Sequence, residues 1–181
     1  MDEESTRALN IQRLRQAVEW LRVHHETKMK NGEEIEKKAW QVLSTGSTIF
    51  AVVSVLQANA LKDGDAPLLF WIVLIIVLGL YLSMAFHVLR VIRPIVHTTA
   101  GSVPGETMSY PDWRARYVES DEEDYLEQMI LNYAGDDDVS GVIQDEEAIN
   151  QTKAATLQRA IWFLVTTICG LVGLAIAAAV G

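Results

Sequence analysis

The feature that most constrains the fold is an uncharged apolar run over residues 66–89, APLLFWIVLIIVLGLYLSMAFHVL. Its most polar members are Ser83 and His87. A helix needs about 20 such residues to cross the hydrocarbon core of a bilayer, whereas a core helix of a soluble protein carries polar positions at helical spacing. The run therefore predicts a transmembrane helix and a membrane protein.

Two further uncharged segments are long enough to cross a membrane. Residues 39–61 are rich in hydroxyl and amide side chains, and residues 160–181 read AIWFLVTTICGLVGLAIAAAVG. We predict an all-α membrane protein in which 39–61, 66–89 and 160–181 are transmembrane helices 1, 2 and 3. A cytosolic amphipathic helical arm, 1–38, precedes them, and a cytosolic helical insert, 90–159, separates the second from the third.

Basic residues predict the orientation of these helices. Lys and Arg flank the three helices on one side, whereas the 62–66 loop contains only Lys62. Because cytoplasmic loops are enriched in Lys and Arg, we expect the N-terminus and the insert in the cytoplasm and the C-terminus on the opposite face. The flanking residues are Lys28, Lys30, Lys37, Lys38, Arg90, Arg93, Lys153 and Arg159.

Composition excludes several functional classes. The net charge is −9, and the acidic residues concentrate between residues 112 and 147, which argues against a surface for duplex nucleic acid. The single cysteine, Cys169, excludes an internal disulfide. The sequence contains no Ser-His-Asp order, phosphate-binding glycine loop or HExxH motif, and its histidines lack zinc-site spacing. We therefore do not expect an enzyme.

The arm carries an apolar stripe at alternating three- and four-residue spacing. This spacing predicts a helix over residues 5–38, although Asn31-Gly32 could break it. The stripe either packs on the insert or the membrane face, or it mediates oligomer packing between copies. Its members are Ile11, Leu14, Val18, Leu21 and His25.

Polar side chains follow the first predicted span and make it the main candidate site. They allow two interpretations, which are close helix packing and a water-filled path through an oligomer. Unpaired glutamine amides are costly in hydrocarbon, which favours water. The candidate pore-lining residues are Gln41, Ser44, Ser47, Thr48, Ser54 and Gln57. No span contains Asp, Glu, Lys or Arg, so the proton relay of a pump is not expected.

The third span contains small residues spaced by four. Gly173, Ala177 and Gly181 form a small-xxx-small pattern, which favours close helix packing within or between subunits. The second span, dominated by Leu, Ile and Val, is expected to face lipid.

The insert contains several helix signals. A short helix is predicted near residues 112–116, and Ser120 with Glu123 forms a capping-box pattern before a helix of about fourteen residues. Gly135 should end that helix, and another should begin near Asp145 and continue into the third span.

Two segments of the insert are candidate ligand sites. Residues 136–147 place oxygen ligands at positions typical of a calcium-binding EF-hand loop, although an acidic solvated linker is the better explanation. The candidate calcium ligands are Asp136, Asp138, Ser140 and Glu147. A nucleotide or oligonucleotide could bind a second group through arginine–phosphate contacts and aromatic stacking, unless these residues form a small core or touch lipid headgroups. That group is Trp113, Arg114, Arg116 and Tyr117.

Three local features carry a resemblance to a known family. Glu36-Lys37-Lys38-Ala39 leads into a polar first span, Arg90, Arg93 and Pro94 follow the second, and a polar helix over 151–160 leads into the third. This layout resembles the small transmembrane effectors of bacterial nucleotide-signalling antiphage systems, especially the Pycsar-type family, whose design the SLATT effectors share. The resemblance implies a dormant inner-membrane protein that permeabilises the membrane under control of a nucleotide made during phage infection.

The leading hypothesis is therefore an oligomeric gated pore, with a tetramer as the expected assembly. The alternatives are a non-conducting membrane anchor whose insert binds a protein partner, and a calcium-responsive membrane regulator. Apart from that calcium, no cofactor is expected.

Overall fold

A computed structural model describes residues 3–60, 68–93, 110–117, 119–135 and 140–180. These residues form helices α1 (Glu3–Ala60), α2 (Leu68–Ile92), α3 (Tyr110–Tyr117), α4 (Glu122–Ala134) and α5 (Val142–Val180). Within these ranges there is no strand, only an isolated bridge between Gly135 and Ser140. The expected all-helical fold is thus confirmed.

The chain forms two compact units. The arm unit comprises residues 1–32 and 95–150, and the three-helix unit comprises residues 33–94 and 151–181. Helices α1 and α5 contribute residues to both units.

Two helices of the described part are long and apolar enough to cross a membrane. They are Phe70–Ile92 of α2 and Val142–Ile176 of α5. The first predicted span is helical as far as Ala60. Its side chains are described only as far as Val55, so α1 is not among these two candidates.

The three-helix unit packs through one inward face of each helix. The inward positions alternate at three- and four-residue spacing, which is the heptad pattern of closely packed helices. In α1 they are Ile35, Ala39, Val42, Gly46, Ile49 and Val53; in α2, Phe70, Leu74, Val77, Tyr81, Met84, Val88 and Val91; in α5, Leu157, Ala160, Leu164, Thr167, Leu171 and Leu174. Apolar burial along these faces holds the unit together.

Packing also shows the helix directions. One end of the unit is a buried cluster that includes Ala39, Val91 and Ala160, and the other includes Phe70 and Leu174. Residue numbers therefore rise in the same direction along α1 and α5 and in the opposite direction along α2.

In the arm unit, the apolar stripe of α1 faces α4. Leu21 is buried, the rest of the stripe is half-buried, and the rings of His25 and Tyr133 lie 5.7 Å apart. Arg7 pairs with Asp121 at 2.5 Å, and Arg15 Nε donates to Glu122 at 2.7 Å. These contacts support the interpretation in which the arm packs on the insert of its own chain.

The helix predicted over residues 5–38 is present, and it does not break at Asn31-Gly32, because α1 continues through both residues. Gly32 is buried, and a Cβ there would lie 2.8 Å from Asn150 Oδ1. The amide of Asn150 donates to the Lys28 carbonyl at 2.8 Å. A glycine is therefore needed for close packing at this position, and tertiary contacts keep the helix intact.

Helix α4 begins at Glu122, and its N-cap is Asp121 rather than the predicted Ser120. The Asp124 N–H donates to the Asp121 carboxylate at 3.0 Å and, with Arg7, holds the pKa of that carboxyl below its usual range. This contribution to stability is present at neutral pH and is lost as the pH falls through that lowered pKa. Gly135 ends α4 with φ 78°, as predicted.

Helix α5 begins at Val142, three residues before the expected start, and continues unbroken to Val180 as predicted. The Gly141 carbonyl accepts from the N–H groups of Gln144 and Asp145. A Cβ at Gly141 would overlap backbone atoms at the end of α4. A glycine at this position therefore allows the close approach that starts α5 early.

Candidate functional site in the three-helix unit

The outward face of α1 carries three of the predicted pore-lining residues. Gln41, Ser44 and Thr48 are all exposed and lie on the side of α1 opposite its inward face. Thr48 Oγ1 donates to the Ser44 carbonyl at 2.9 Å, which is a bond within the helix. This polar face is therefore open to a further partner or to water.

The other predicted pore-lining residues lie elsewhere. Ser47 is half-buried, and its hydroxyl bonds the Tyr81 hydroxyl of α2 at 2.8 Å. Phe50 stacks on the same Tyr81 ring at 4.5 Å. Ser54 is half-buried as well, and the Gln57 side chain lies outside the described residues. The structure thus separates Ser47 and Ser54 from the exposed polar face.

Exposed tryptophans mark two levels of the three-helix unit. Trp40 and Trp162 are 54% and 66% exposed and lie near the Ala39 end of the unit, whereas Trp71 is 49% exposed and lies near the other end. Trp71 and Arg90 are 19 positions apart on α2, or about 28 Å at 1.5 Å per residue. That length agrees with the roughly 30 Å hydrocarbon thickness of a bilayer, and tryptophans favour its two interfaces.

The polar face of α1 lies beside the apolar helix α2. Gly46 of α1 packs against Met84 of α2, and Ala39 shares a cluster with Val91. The stretch from Gln41 to Thr48 therefore packs at the level of α2 residues that belong to the candidate span.

The small-residue candidates for oligomer packing are accessible where they are described. Gly173 is exposed, and a Cβ there would meet nothing within 4 Å. The side chain of Ala177 lies outside the described residues.

The candidate nucleotide-binding group is described only in part. Arg114 is exposed, and its Nε pairs with Glu119 at 2.8 Å. The side chains of Trp113, Arg116 and Tyr117 lie outside the described residues, so this prediction stays a prediction.

The candidate calcium loop is also described in part. Asp136 and Asp138 lie outside the described residues, and residues 142–147 form the first turns of α5. Ser140 donates to Asp145 at 2.7 Å, while Glu147 pairs with Lys28 at 3.1 Å. The residues that the structure describes contain no group of three or more His, Cys, Asp or Glu arranged to hold a metal. Calcium binding stays a prediction.

Three buried polar side chains on α5 were missed in the sequence. Glu146, Asn150 and Lys153 are buried at consecutive inward positions, and Lys153 Nζ pairs with Glu36 at 2.5 Å. Asn150 Oδ1 has no hydrogen-bond partner among the described residues. The three-four spacing of α5, continued back from Leu157, would have revealed them.

A comparison with protein families identifies the family of this chain. The model of the Pycsar effector protein domain, PycTM, matches residues 22–181. The chain belongs to the PycTM family. This PycTM protein is therefore a membrane effector of Pycsar antiphage defence, which signals through cyclic nucleotides, and its family is not one of enzymes. No curated protein and no solved structure matches the chain.

Proposed function

We propose that this PycTM protein assembles into a homo-oligomeric gated pore that permeabilises the bacterial inner membrane in response to a cyclic nucleotide. The exposed polar face of α1, formed by Gln41, Ser44 and Thr48, would line the path. The observation that carries this proposal is a polar surface left uncovered on a helix that packs beside an apolar span.

In this proposal α1 crosses the membrane with α2 and α5. Because α1 and α2 pack side by side from Ala39 to Val53, a bilayer around α2 surrounds this part of α1 as well. The Ser, Thr and Gln side chains of this segment then belong to one polar face and do not indicate a location in water. This supports three transmembrane helices.

The polar face of α1 would be energetically unfavourable in contact with lipid. An unpaired amide or hydroxyl in hydrocarbon costs several kcal/mol. The Thr48 hydroxyl bonds within its own helix, but the Gln41 amide offers several hydrogen-bonding groups. Copies that gather with this face toward a shared axis would supply both partners and water.

The other surfaces of each subunit would face lipid or a neighbouring helix. One polar helix face per subunit encloses a water path only when several copies meet, and we propose a tetramer. Helix α2 would face lipid, and Gly173 of α5 leaves room for a neighbouring helix. The arm unit would lie in the cytoplasm and sense the nucleotide, which can open the pore only by binding the open and closed states with different affinity.

A flux assay tests the lining. Liposomes that contain the full chain and an entrapped dye are treated in turn with cyclic AMP, CMP, GMP and UMP. Ser44→Leu and Thr48→Leu should each lower dye release about tenfold, because an apolar constriction dewets the path. Thr166→Leu is the matched control, since Thr166 is also exposed and bonds the carbonyl four residues earlier; it should change release less than about twofold.

Full dye release by Thr48→Leu would contradict a path along α1. An absence of release from the wild-type protein with every cyclic nucleotide would favour the alternative, a non-conducting anchor whose insert recruits a protein partner.

Disulfide cross-linking tests whether the polar faces of α1 from different subunits lie close together. In a Cys169→Ser background, Ser44→Cys should form disulfide-linked dimers in membranes under mild oxidation. Ser47→Cys should not, because this position faces Tyr81 of its own subunit. Equal cross-linking at both positions, or none at position 44, would argue against the proposed orientation of α1.

A further inference from the structure

Five exposed cations surround one end of the three-helix unit. Each lies within two positions of a residue in the buried cluster that includes Ala39, Val91 and Ala160. The five cations therefore lie at nearly one level, on three different helices. They are Lys37, Lys38, Arg90, Arg93 and Arg159, which we call the collar.

The collar cations have no ion-pair partner among the described residues. Arg90 lies over the Phe86 ring, with its Cζ 5.9 Å from the centroid, but within the described ranges no carboxylate forms an ion pair with any of the five. Glu36, the acidic residue next to Lys37 in the sequence, forms an ion pair with Lys153 instead. The exposed Glu33 and Glu34 lie one turn before Lys37 and Lys38 and form no ion pair with them in the described structure.

The collar coincides with the tryptophans of the same level. Trp40 and Trp162 are exposed beside Lys38 and Arg159. Exposed tryptophan rings favour the headgroup region, where neighbouring cations contact phosphates. The cations are exposed, have no acidic partner among the described residues and lie beside exposed tryptophans. These three observations indicate a partner with phosphate headgroups.

We infer that the collar binds the headgroups of anionic phospholipids, such as phosphatidylglycerol, in the leaflet that surrounds it. Each cation near an anionic surface strengthens the attraction about fivefold. Among the exposed cations of the arm unit, Arg7 and Arg15 are occupied by acidic residues of α4, whereas Arg13 and Lys30 provide a charge control. This inference requires a membrane-embedded unit and does not depend on conduction.

The tryptophans provide the test. A full-length variant keeps Trp40 and carries Phe at the other four tryptophans; a second variant keeps only Trp71. Each is reconstituted in mixed vesicles, and quenching by brominated phosphatidylglycerol is compared with quenching by brominated phosphatidylcholine. The Trp40 protein should prefer the anionic lipid at least about fivefold at low salt. The Trp71 protein should show a ratio near one.

Substitution of Lys37→Gln with Lys38→Gln should lower the Trp40 ratio, while Arg90, Arg93 and Arg159 keep it above one, and high salt should lower the wild-type ratio. Arg13→Gln with Lys30→Gln removes the same charge from exposed positions of the arm unit and should leave the ratio unchanged. A wild-type ratio of one, or an equal effect of both charge pairs, overturns the inference. So does loss of the preference when inorganic phosphate replaces chloride at constant ionic strength, which would assign the collar to a soluble phosphate.

Discussion

Gly46→Leu is expected to destabilise the three-helix unit strongly, whereas Gly79→Leu leaves its stability unchanged. Gly46 is buried where α1 meets α2 and α5, and a Cβ there would lie 2.9 Å from Met84 Sδ and 3.1 Å from Leu164 Cδ1. Because even one carbon is too close, a leucine must push the helices apart. Overpacking costs about 1–3 kcal/mol, and we expect Gly46→Leu to lower the free energy of unfolding by at least about 3 kcal/mol.

The measurement is unfolding by SDS in mixed micelles, followed by helical circular dichroism. Gly79→Leu is the matched control, because nothing lies within 4 Å of a Cβ at Gly79. Gly46→Ala should lower the free energy of unfolding by less, since the flexible end of Met84 can move. Combining it with Met84→Ala should remove the steric part of that loss. Wild-type stability of Gly46→Leu would show that the three helices do not meet at this residue.

The continuity of α1 shows why tertiary packing overrides a local signal. Asn31-Gly32 is a typical helix-ending pair, and glycine costs about 1 kcal/mol in a helix interior relative to alanine. Yet the spacing that predicted the arm stripe continues through Lys28, Gly32 and Ile35, all buried or half-buried. Extending the heptad pattern past residue 25 would have predicted one long helix.

The candidate pore face shows the limit of sequence reasoning at the site. Composition identified the polar segment, but Ser44 and Ser47 lie only about 60° apart around a helix with 3.6 residues per turn. Which of them points outward depends on the neighbouring helix, since the Ser47 hydroxyl forms a hydrogen bond with the Tyr81 hydroxyl of α2. No pattern in α1 alone contains that information.

The spans differ in how directly their residues reveal them. Helix α2 follows from its apolar run alone, and the unbroken course of α5 follows from the absence of Gly and Pro between residues 142 and 169. The cap of α4 moved by one residue because Ser120 and Asp121 are both good N-caps, and only geometry decides between them.

The ion pair between the buried Lys153 and the half-buried Glu36 provides the second large expected effect. Lys153 has a side chain only 10% exposed, and its Nζ lies 2.5 Å from Glu36 Oε1. Breaking a buried pair by removing one partner typically costs about 3–5 kcal/mol, because an uncompensated charge remains. Glu36 keeps about a third of its side chain exposed, so we expect Glu36→Gln to cost about 3 kcal/mol, at the lower end of that range.

The double variant distinguishes the pair from simple loss of contacts. Glu36→Leu with Lys153→Met removes both charges and keeps similar volumes, so its stability should lie within about 1 kcal/mol of wild type or above it. The exposed pair of Arg114 and Glu119 is the control, and Glu119→Gln should cost less than about 1 kcal/mol. The SDS unfolding assay measures these variants together with the single variants Glu36→Leu and Lys153→Met. If the losses from Glu36→Leu and Lys153→Met simply add in the double variant, the two charges are not coupled. If they cancel, the polar residues at these inward positions lower the stability that an apolar seam would have, and the protein keeps them for a reason other than stability.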